Sequence, residues 1–470
     1  MGGERARPIS ARTHPHGRLA RLALIAAALA ALALLASATI APVARAVPAY
    51  GRKYNLQCSA CHTRFPRLNT YGERFLENAY QLPGTEDGGL LGKARMGALA
   101  LDDVKNYLGF QIEGHPLRLF SHSGSSTTGG AHTDVSIGFP EEFELFATGT
   151  LAKNIGFYLE FEHEPNDSDS GVNLETAFVT FANLGRHQAA NLRVGRFDPS
   201  AFFSFTAQRL QISNVDADKS SASAFQMPVV THLALSPAAL SAKMSGLFTR
   251  DGTNILPTDR TLYNSESEVG LDLYGRPFGD AFLYQIGLTN GPGERASDSN
   301  SAKDWYVMTR FDYAKSRHFS ANLSGFGYFG HKNAKLASQD DVNWSRYGVG
   351  ATVRYRMLDV YAAYTWDRIT GVPAAQAASF DRSASGVSVE ADLLVSDDTL
   401  LSLRYDQTDA GGQLASRKSS ALGTVQVKQY LYPNIALSLQ ETFNLRKNED
   451  GSAPERNLRN AVLAGLEIAF

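Results

Sequence analysis

The sequence predicts an all-β fold: a transmembrane antiparallel β-barrel of about eighteen strands, with sixteen as the alternative count, behind a small N-terminal α-helical unit. Three observations carry this. Apolar and polar residues alternate with period two from about Tyr107 onward. Short and long connectors alternate along the same stretch. The last segment, AVLAGLEIAF, puts Val462, Ala464, Leu466, Ile468 and Phe470 on one face and ends on an aromatic residue.

The alternation is clearest in three segments. Tyr347, Val349, Ala351, Val353 and Tyr355 face one way, and Gly348, Gly350, Thr352, Arg354 and Arg356 the other. Val387, Val389, Ala391, Leu393 and Val395 alternate with Ser388, Glu390 and Asp392. Val360, Ala362, Tyr364 and Trp366 alternate with Asp359, Thr365 and Asp367. One apolar and one polar face per strand of ~10 residues is the pattern of a membrane barrel. A soluble sandwich also alternates, so the connectors decide. Short turns are read at Ala152–Asn154, Ser236–Ser241, Pro277–Asp280, Lys315–Arg317, Ser396–Asp398 and Tyr432–Asn434. Longer polar loops are read at 251–265, 291–302, 330–343, 369–383, 410–417 and 447–457. Outer-membrane barrels have short periplasmic turns and long extracellular loops.

Counting back from the C-terminus gives eighteen strands if 198–228 is one external segment. Tyr107–Leu119 and Asn191–Phe197 are the strands whose loss would give sixteen. Phe202, Phe203 and Phe205 make 198–228 unusually apolar for a solvent loop. It either folds into the barrel mouth or lies on the rim. Glu160, Glu390, Asp392, Arg354, Arg356, Arg404 and Asp406 are expected to face a wet lumen.

Composition fits this fold. The 470 residues include 41 Gly, 26 Phe and 19 Tyr. Mean hydropathy is −0.21, too polar for a bundle of membrane helices. The net charge of −2 with 45 Lys plus Arg argues against a nucleic-acid partner.

Residues 1–46 read as a cleaved export signal. Arg5, Arg7, Arg12, Arg18 and Arg21 form a basic region, Leu22–Ala41 is apolar, and Ala44-Arg45-Ala46 has the form of a cleavage site. An uncleaved anchor is the alternative. There is no Arg-Arg pair, which favours general secretion. Cleavage removes six Arg and one Glu, so the remainder carries a formal charge of −7.

The chain has two cysteines, both in LQCSACHTRF: Cys58-Ser59-Ala60-Cys61-His62. C-x-x-C-H is the attachment sequence for one covalent haem c. Two thiols one turn apart reach the two vinyl groups, and the next imidazole, His62, is an axial ligand of the iron. A redox C-x-x-C needs a βαβ surround that is absent here, and a structural zinc needs four ligands. A disulfide would leave His62 unexplained. Leu68, Tyr71, Phe75 and Tyr80 recur at helical spacing, as expected for a small cytochrome c unit over 47–100. Gly72 would permit close approach of another backbone or the haem. Met96 is the expected second axial ligand, with His115 next and an open or water-bound iron as the third possibility. Residues 101–470 are assigned to the barrel.

With AVPAY, GRKYNLQCSACH and PRLNTYGERFLENAY preceding a barrel that ends on Phe470, the chain resembles the fused monohaem cytochrome–porins of iron-oxidising bacteria. The specific part of the resemblance lies within about residues 46–80; the rest is architectural. It implies a haem plug in an outer-membrane barrel of Gram-negative type. Such a plug exchanges one electron with an extracellular donor, Fe2+ above all, and passes it to a periplasmic carrier such as a soluble cytochrome. A single haem cannot bridge a hydrocarbon layer ~30 Å thick by itself, so the unit is expected in the lumen near one mouth. Two other functions stay open: a diffusion porin whose haem unit is only a plug or sensor, and an outward conduit to an extracellular acceptor.

Overall fold

The structure is a computed structural model. It describes residues 49–64, 67–82, 94–96, 99–101, 106–122, 131–163, 165, 171–185, 188–203, 211–212, 249–250, 253–254, 267–291, 303–316, 318–332, 342–370, 383–411, 420–432, 434–445 and 458–469. The expected signal 1–46, the Ser236–Ser241 turn, Phe205 and Phe470 lie outside them.

Sixteen strands close into one antiparallel barrel. In chain order they are β1 (Leu108–His122), β2 (His132–Ala152), β3 (Ile155–His163), β4 (Val172–Phe181), β5 (Asn191–Phe197), β6 (Glu268–Gly275), β7 (Phe282–Thr289) and β8 (Asp304–Ser316). The remaining eight are β9 (Phe319–Lys332), β10 (Val342–Tyr355), β11 (Leu358–Thr370), β12 (Ser383–Ser396), β13 (Thr399–Gly411), β14 (Ser420–Tyr432), β15 (Ile435–Asn444) and β16 (Leu458–Ala469). Each pairs with the strands before and after it, and β16 closes on β1, with Ile468 opposite Ile112.

The expectation of eighteen strands is corrected to sixteen. Residues Glu268–Tyr274 of β6 pair directly with Phe197–Asn191 of β5, and β5 has β4 on its other edge. Both edges are therefore filled, and the ring closes at sixteen strands, the alternative count. Tyr107–Leu119 and Asn191–Phe197, the least certain strands by pattern, are both in the wall, as β1 and β5. A tight turn at Arg356–Met357, absent from the expected turns, joins β10 to β11.

The wall is apolar outside and polar inside. Val349, Val353, Tyr355, Tyr364, Trp366, Leu393 and Val395 are exposed, whereas Thr352, Asp359, Thr365, Ser388, Glu390 and Asp392 are buried. Glu390, Asp392, Arg404 and Asp406 face inward as expected. Arg356 does not. It occupies the β10–β11 turn at φ 54, is exposed, and lies over the Tyr355 ring. The strand ends at Tyr355, one residue before Arg356.

Aromatic residues flank the apolar band. Trp305 stacks on Phe329 at 4.1 Å and Tyr347 on Trp366 at 5.3 Å near the long-loop end. Phe282 with Phe311 and Tyr313 with Phe319 lie near the short-turn end. Tyr347 and Tyr355 on β10 are separated by about 27 Å of strand, or about 20 Å of height at the usual tilt. That is the spacing of paired interfacial girdles.

A basic side chain in the middle of this band should cost about 2–4 kcal/mol, and near its edge about 0–1 kcal/mol. Val349→Arg is therefore expected to lower the urea midpoint for folding into lipid vesicles far more than Val395→Arg, which lies beside the Asp397–Asp398 turn. Equal shifts would contradict the assignment of the outer face.

Candidate functional site

The site begins on residues 49–82, which lie inside the barrel at its short-turn end. Two short helices frame the cysteine motif: α1 (Ala49–Tyr54) and α2 (Thr70–Glu77). Between them Cys58–Ala60 form a single 3-10 turn, in which the Cys61 amide donates to the Cys58 carbonyl at 3.1 Å. His62 pairs with Leu68 in a two-strand bridge, so the imidazole leaves the turn on extended backbone.

Asn69 ties the turn to α2. Its Oδ1 accepts from the Gly72 amide at 2.9 Å and so caps the helix. Its Nδ2 donates to the Ala60 carbonyl at 3.0 Å, and its own amide donates to the Cys61 carbonyl at 2.8 Å. Gly72 is required by the same packing, since a Cβ there would land on the Cys61 carbonyl oxygen. Of the two possibilities left open for Gly72, the close approach of another backbone is the one observed.

The apolar stripe is only partly as expected. Phe75 and Tyr80 are buried, but Tyr71 is 42 % exposed. The buried face of α2 instead carries Gly72, Glu73, Phe75 and Glu77. Tyr50 packs edge-on to Phe75 at 4.9 Å and stacks on Tyr80 at 5.2 Å. Tyr80 in turn stacks on Tyr158 of β3 at 5.6 Å. Gly156 of β3 leaves room for the Ala79 carbonyl, which a Cβ would strike.

Charge holds the segment to the wall. Glu77 accepts from Arg276 through Nε at 2.6 Å and Nη2 at 2.8 Å, and from Arg310 Nη2 at 3.1 Å. Glu73 accepts from the same Arg310 nitrogen at 3.0 Å and from Arg354 at 3.3 Å. Arg67, 1 % exposed, donates to Asp359 at 2.8 Å and pairs with Asp392. Arg310 also donates to the Phe202 carbonyl at 3.3 Å. The inward connection after β5 thus meets the segment at one guanidinium. Phe202 and Phe203 are buried against Tyr274 and Phe326, so this part of 198–228 folds into the mouth rather than along the rim.

Sequence reading singled out none of Arg67, Glu73, Glu77, Arg276 and Arg310. The available signal was two acids four residues apart on the apolar side of an amphipathic helix, which demands cationic partners.

The donor set fits a thioether-linked haem. Cys58 and Cys61 are half-buried and not joined by a disulfide. Burial, then the neighbouring Cys58, pushes the Cys61 thiol up to about 11. Among the described residues the one group of three ligating side chains close enough for a single ion is Glu144, Glu160 and Glu175 on β2–β4. Cys58, Cys61 and His62 do not form such a group.

Met96 lies in a short strand, Ala94–Met96, paired with Leu99–Leu101; its side chain is outside the description. His115 stands within β1, with Nδ1 held by Glu141 at 2.9 Å. The segment meets β1 at the Leu108 carbonyl, through Arg52, and His115 is roughly 23 Å further along the strand.

No family model matches the chain, and no curated protein matches it. Among solved structures it is similar to OmpF of Salmonella typhi, at 11% identity and a TM-score of 0.47 over 80% of this chain and 99% of that one. It is similar to the outer membrane channel DcaP of Acinetobacter baumannii at 11% identity and 0.48, over 77% and 96%. It is similar to an anion-selective porin from Comamonas acidovorans at 15% identity and 0.46, over 77% and 98%. The chain itself closes as an antiparallel barrel of sixteen strands.

Gly72→Ala should push α2 off the cysteine turn at a cost of about 1–3 kcal/mol, typical of overpacking. Alkylation of Cys58 and Cys61 in protein made without haem should then be faster than in the parent. Unchanged rates would mean that the turn does not depend on this contact.

Proposed function

We propose that this chain is an outer-membrane electron conduit carrying one haem c on Cys58 and Cys61, with His62 as axial ligand and Met96 as the second. The observation that carries the reading is the position of C-x-x-C-H. It lies on a segment clamped inside the barrel at the end with the short turns, the periplasmic end in such barrels. A soluble periplasmic carrier would meet it there, and an extracellular donor would enter from the long-loop side.

When bound, the haem supplies one-electron exchange at a potential set by its axial ligands and burial. The protein's own part is to fix and shelter it. Asn69 and Gly72 hold the cysteine turn, and Tyr50, Phe75 and Tyr80 form the apolar packing beside it. The charged clamp sets the segment against the wall. Inward flow from Fe2+ rests on the resemblance to the cytochrome–porins. The second reading, a diffusion porin with a plug, is favoured by the porin-like wall and its polar lumen.

Haem-stained denaturing gels of the mature protein should show a band, and Cys58→Ala with Cys61→Ala should abolish it; a stained band in that variant would refute the attachment. In the same preparation Met96→Ala should shift the visible spectrum and lower the potential. An unchanged spectrum would transfer the sixth position to His115 or to an open iron.

Function is tested in liposomes holding an oxidised carrier, with Fe2+ added outside. Reduction of the haem and then of the trapped carrier is the expected result. Free passage of small sugars with the haem left oxidised would establish the porin reading instead.

A further inference from the structure

The contacts between residues 49–82 and the wall point beyond anchoring. On the wall side they come from Thr148 of β2, Tyr158 of β3, Asn183 after β4 and Tyr274 and Arg276 at the end of β6. They continue with Arg310 of β8, Arg354 of β10, Asp359 of β11 and Asp392 of β12. The segment therefore spans most of the circumference. The inward connection extends the filling to β12 and β13, where the Gln211 amide donates to Glu390 at 2.8 Å and Arg404 donates to the Ile212 carbonyl at 2.9 Å.

We propose that residues 49–82 are a charge-latched plug that closes the barrel to solutes and leaves the wall as a unit. The chemistry of the contact sets this behaviour. The carboxylates of Glu73 and Glu77 share Arg276, Arg310 and Arg354, and Arg67 is shared by Asp359 and Asp392. Buried ion pairs add little net binding, because desolvation offsets their attraction, but losing one partner strands the others. A shared network is thus poorly served by partial release. The segment is either docked with every pair made or withdrawn with every charge rehydrated, which is the two-state element a gate requires. No disulfide can tie it to the wall, since both cysteines of the chain, Cys58 and Cys61, lie within the segment.

The test is single-channel recording on the full mature protein in planar bilayers. The parent should stay at the closed baseline. Glu73→Gln with Glu77→Gln should give discrete open steps and make residues 49–82 susceptible to added protease. Because Arg276 and Arg310 then keep only Asp312 and Arg354 only Asp359 as acidic partners, the variant is first checked for the heat-modifiable gel shift of a folded barrel. Urea applied to the parent provides a second measurement that needs no variant. The channel should open before the barrel is lost and close again when urea is removed.

Porin-sized steps from the untreated parent would overturn the proposal. So would a folded double variant as closed as the parent, or a urea titration that opens nothing until the barrel unfolds. None of these readouts requires haem. The Cys58→Ala, Cys61→Ala protein should latch as the parent does, which separates failure of this proposal from failure of the electron-conduit reading.

Discussion

Hydrocarbon offers no hydrogen bond to a backbone amide, so a chain that crosses it with strands must pair every strand on both edges. That requirement organises this molecule. It brings the Ala469 end of the chain back to Gln111 at the start, and it joins β5 to β6 across the 198–267 connection. It also turns the usual globular arrangement inside out. Leu403 and Val349 stand exposed, at 48 % and 47 %, while Glu390 and Asp392 are fully buried.

A closed ring creates a second problem. Eight strands leave a core that side chains fill, whereas sixteen leave a channel. Here chain occupies that space, and the wall decides what kind of chain can do so. Because lumen-facing positions are polar, an apolar filler would leave Arg310 with only Asp312, and Arg354 and Asp359 with only each other. α2 therefore carries Glu73 and Glu77 toward the wall, and Arg67 answers Asp359 and Asp392. The aromatic cluster of Tyr50, Phe75 and Tyr80 meets the wall where it is itself aromatic, at Tyr158 and Phe178. Arg310 connects the two fillers, since it reaches both carboxylates of α2 and the Phe202 carbonyl.

These two levels were unequally legible in the sequence. Which residues face lipid follows from a period of two, a local property, and the faces of β10, β11 and β12 could be read from it residue by residue. The errors fell where the local rule stopped. Arg356 continues the alternation on paper but sits in a turn at φ 54. Tyr71 keeps helical spacing with Phe75, yet α2 buries the acids of its other flank. The count of eighteen strands failed for a non-local reason, because β5 and β6 already satisfy each other. The clamp was the least legible part. Arg67 and Asp359 are 292 residues apart, and Glu77 and Arg276 are 199 apart. Nothing in either neighbourhood names its partner; only the expense of burying an unpaired charge says that one must exist. The C-x-x-C-H motif lies at the other extreme. Its chemistry is contained in five consecutive residues, and the structure adds the Asn69 and Gly72 contacts that hold the turn.

On the proposed reading, the arrangement of wall and plug explains why a redox motif should be placed in a barrel at all. A diffusion pore needs a continuous aqueous path, and any segment inside it is an obstruction. An electron needs no such path; it needs a fixed site reachable from both sides within a short distance. A plug seated near the periplasmic mouth meets that need. It leaves the outer part of the barrel to the extracellular donor and keeps its turn-side face within reach of a soluble carrier. The charged clamp then has two consequences. It sets the cysteine turn in one place relative to the wall, as a cofactor exchanging electrons with partners on two sides demands. It also obstructs the lumen, so that ions and their insoluble oxidised products remain outside while the electron passes. Residues with no part in redox chemistry, Glu73, Glu77, Arg276 and Arg310 among them, would thus decide whether the barrel transmits electrons or solutes.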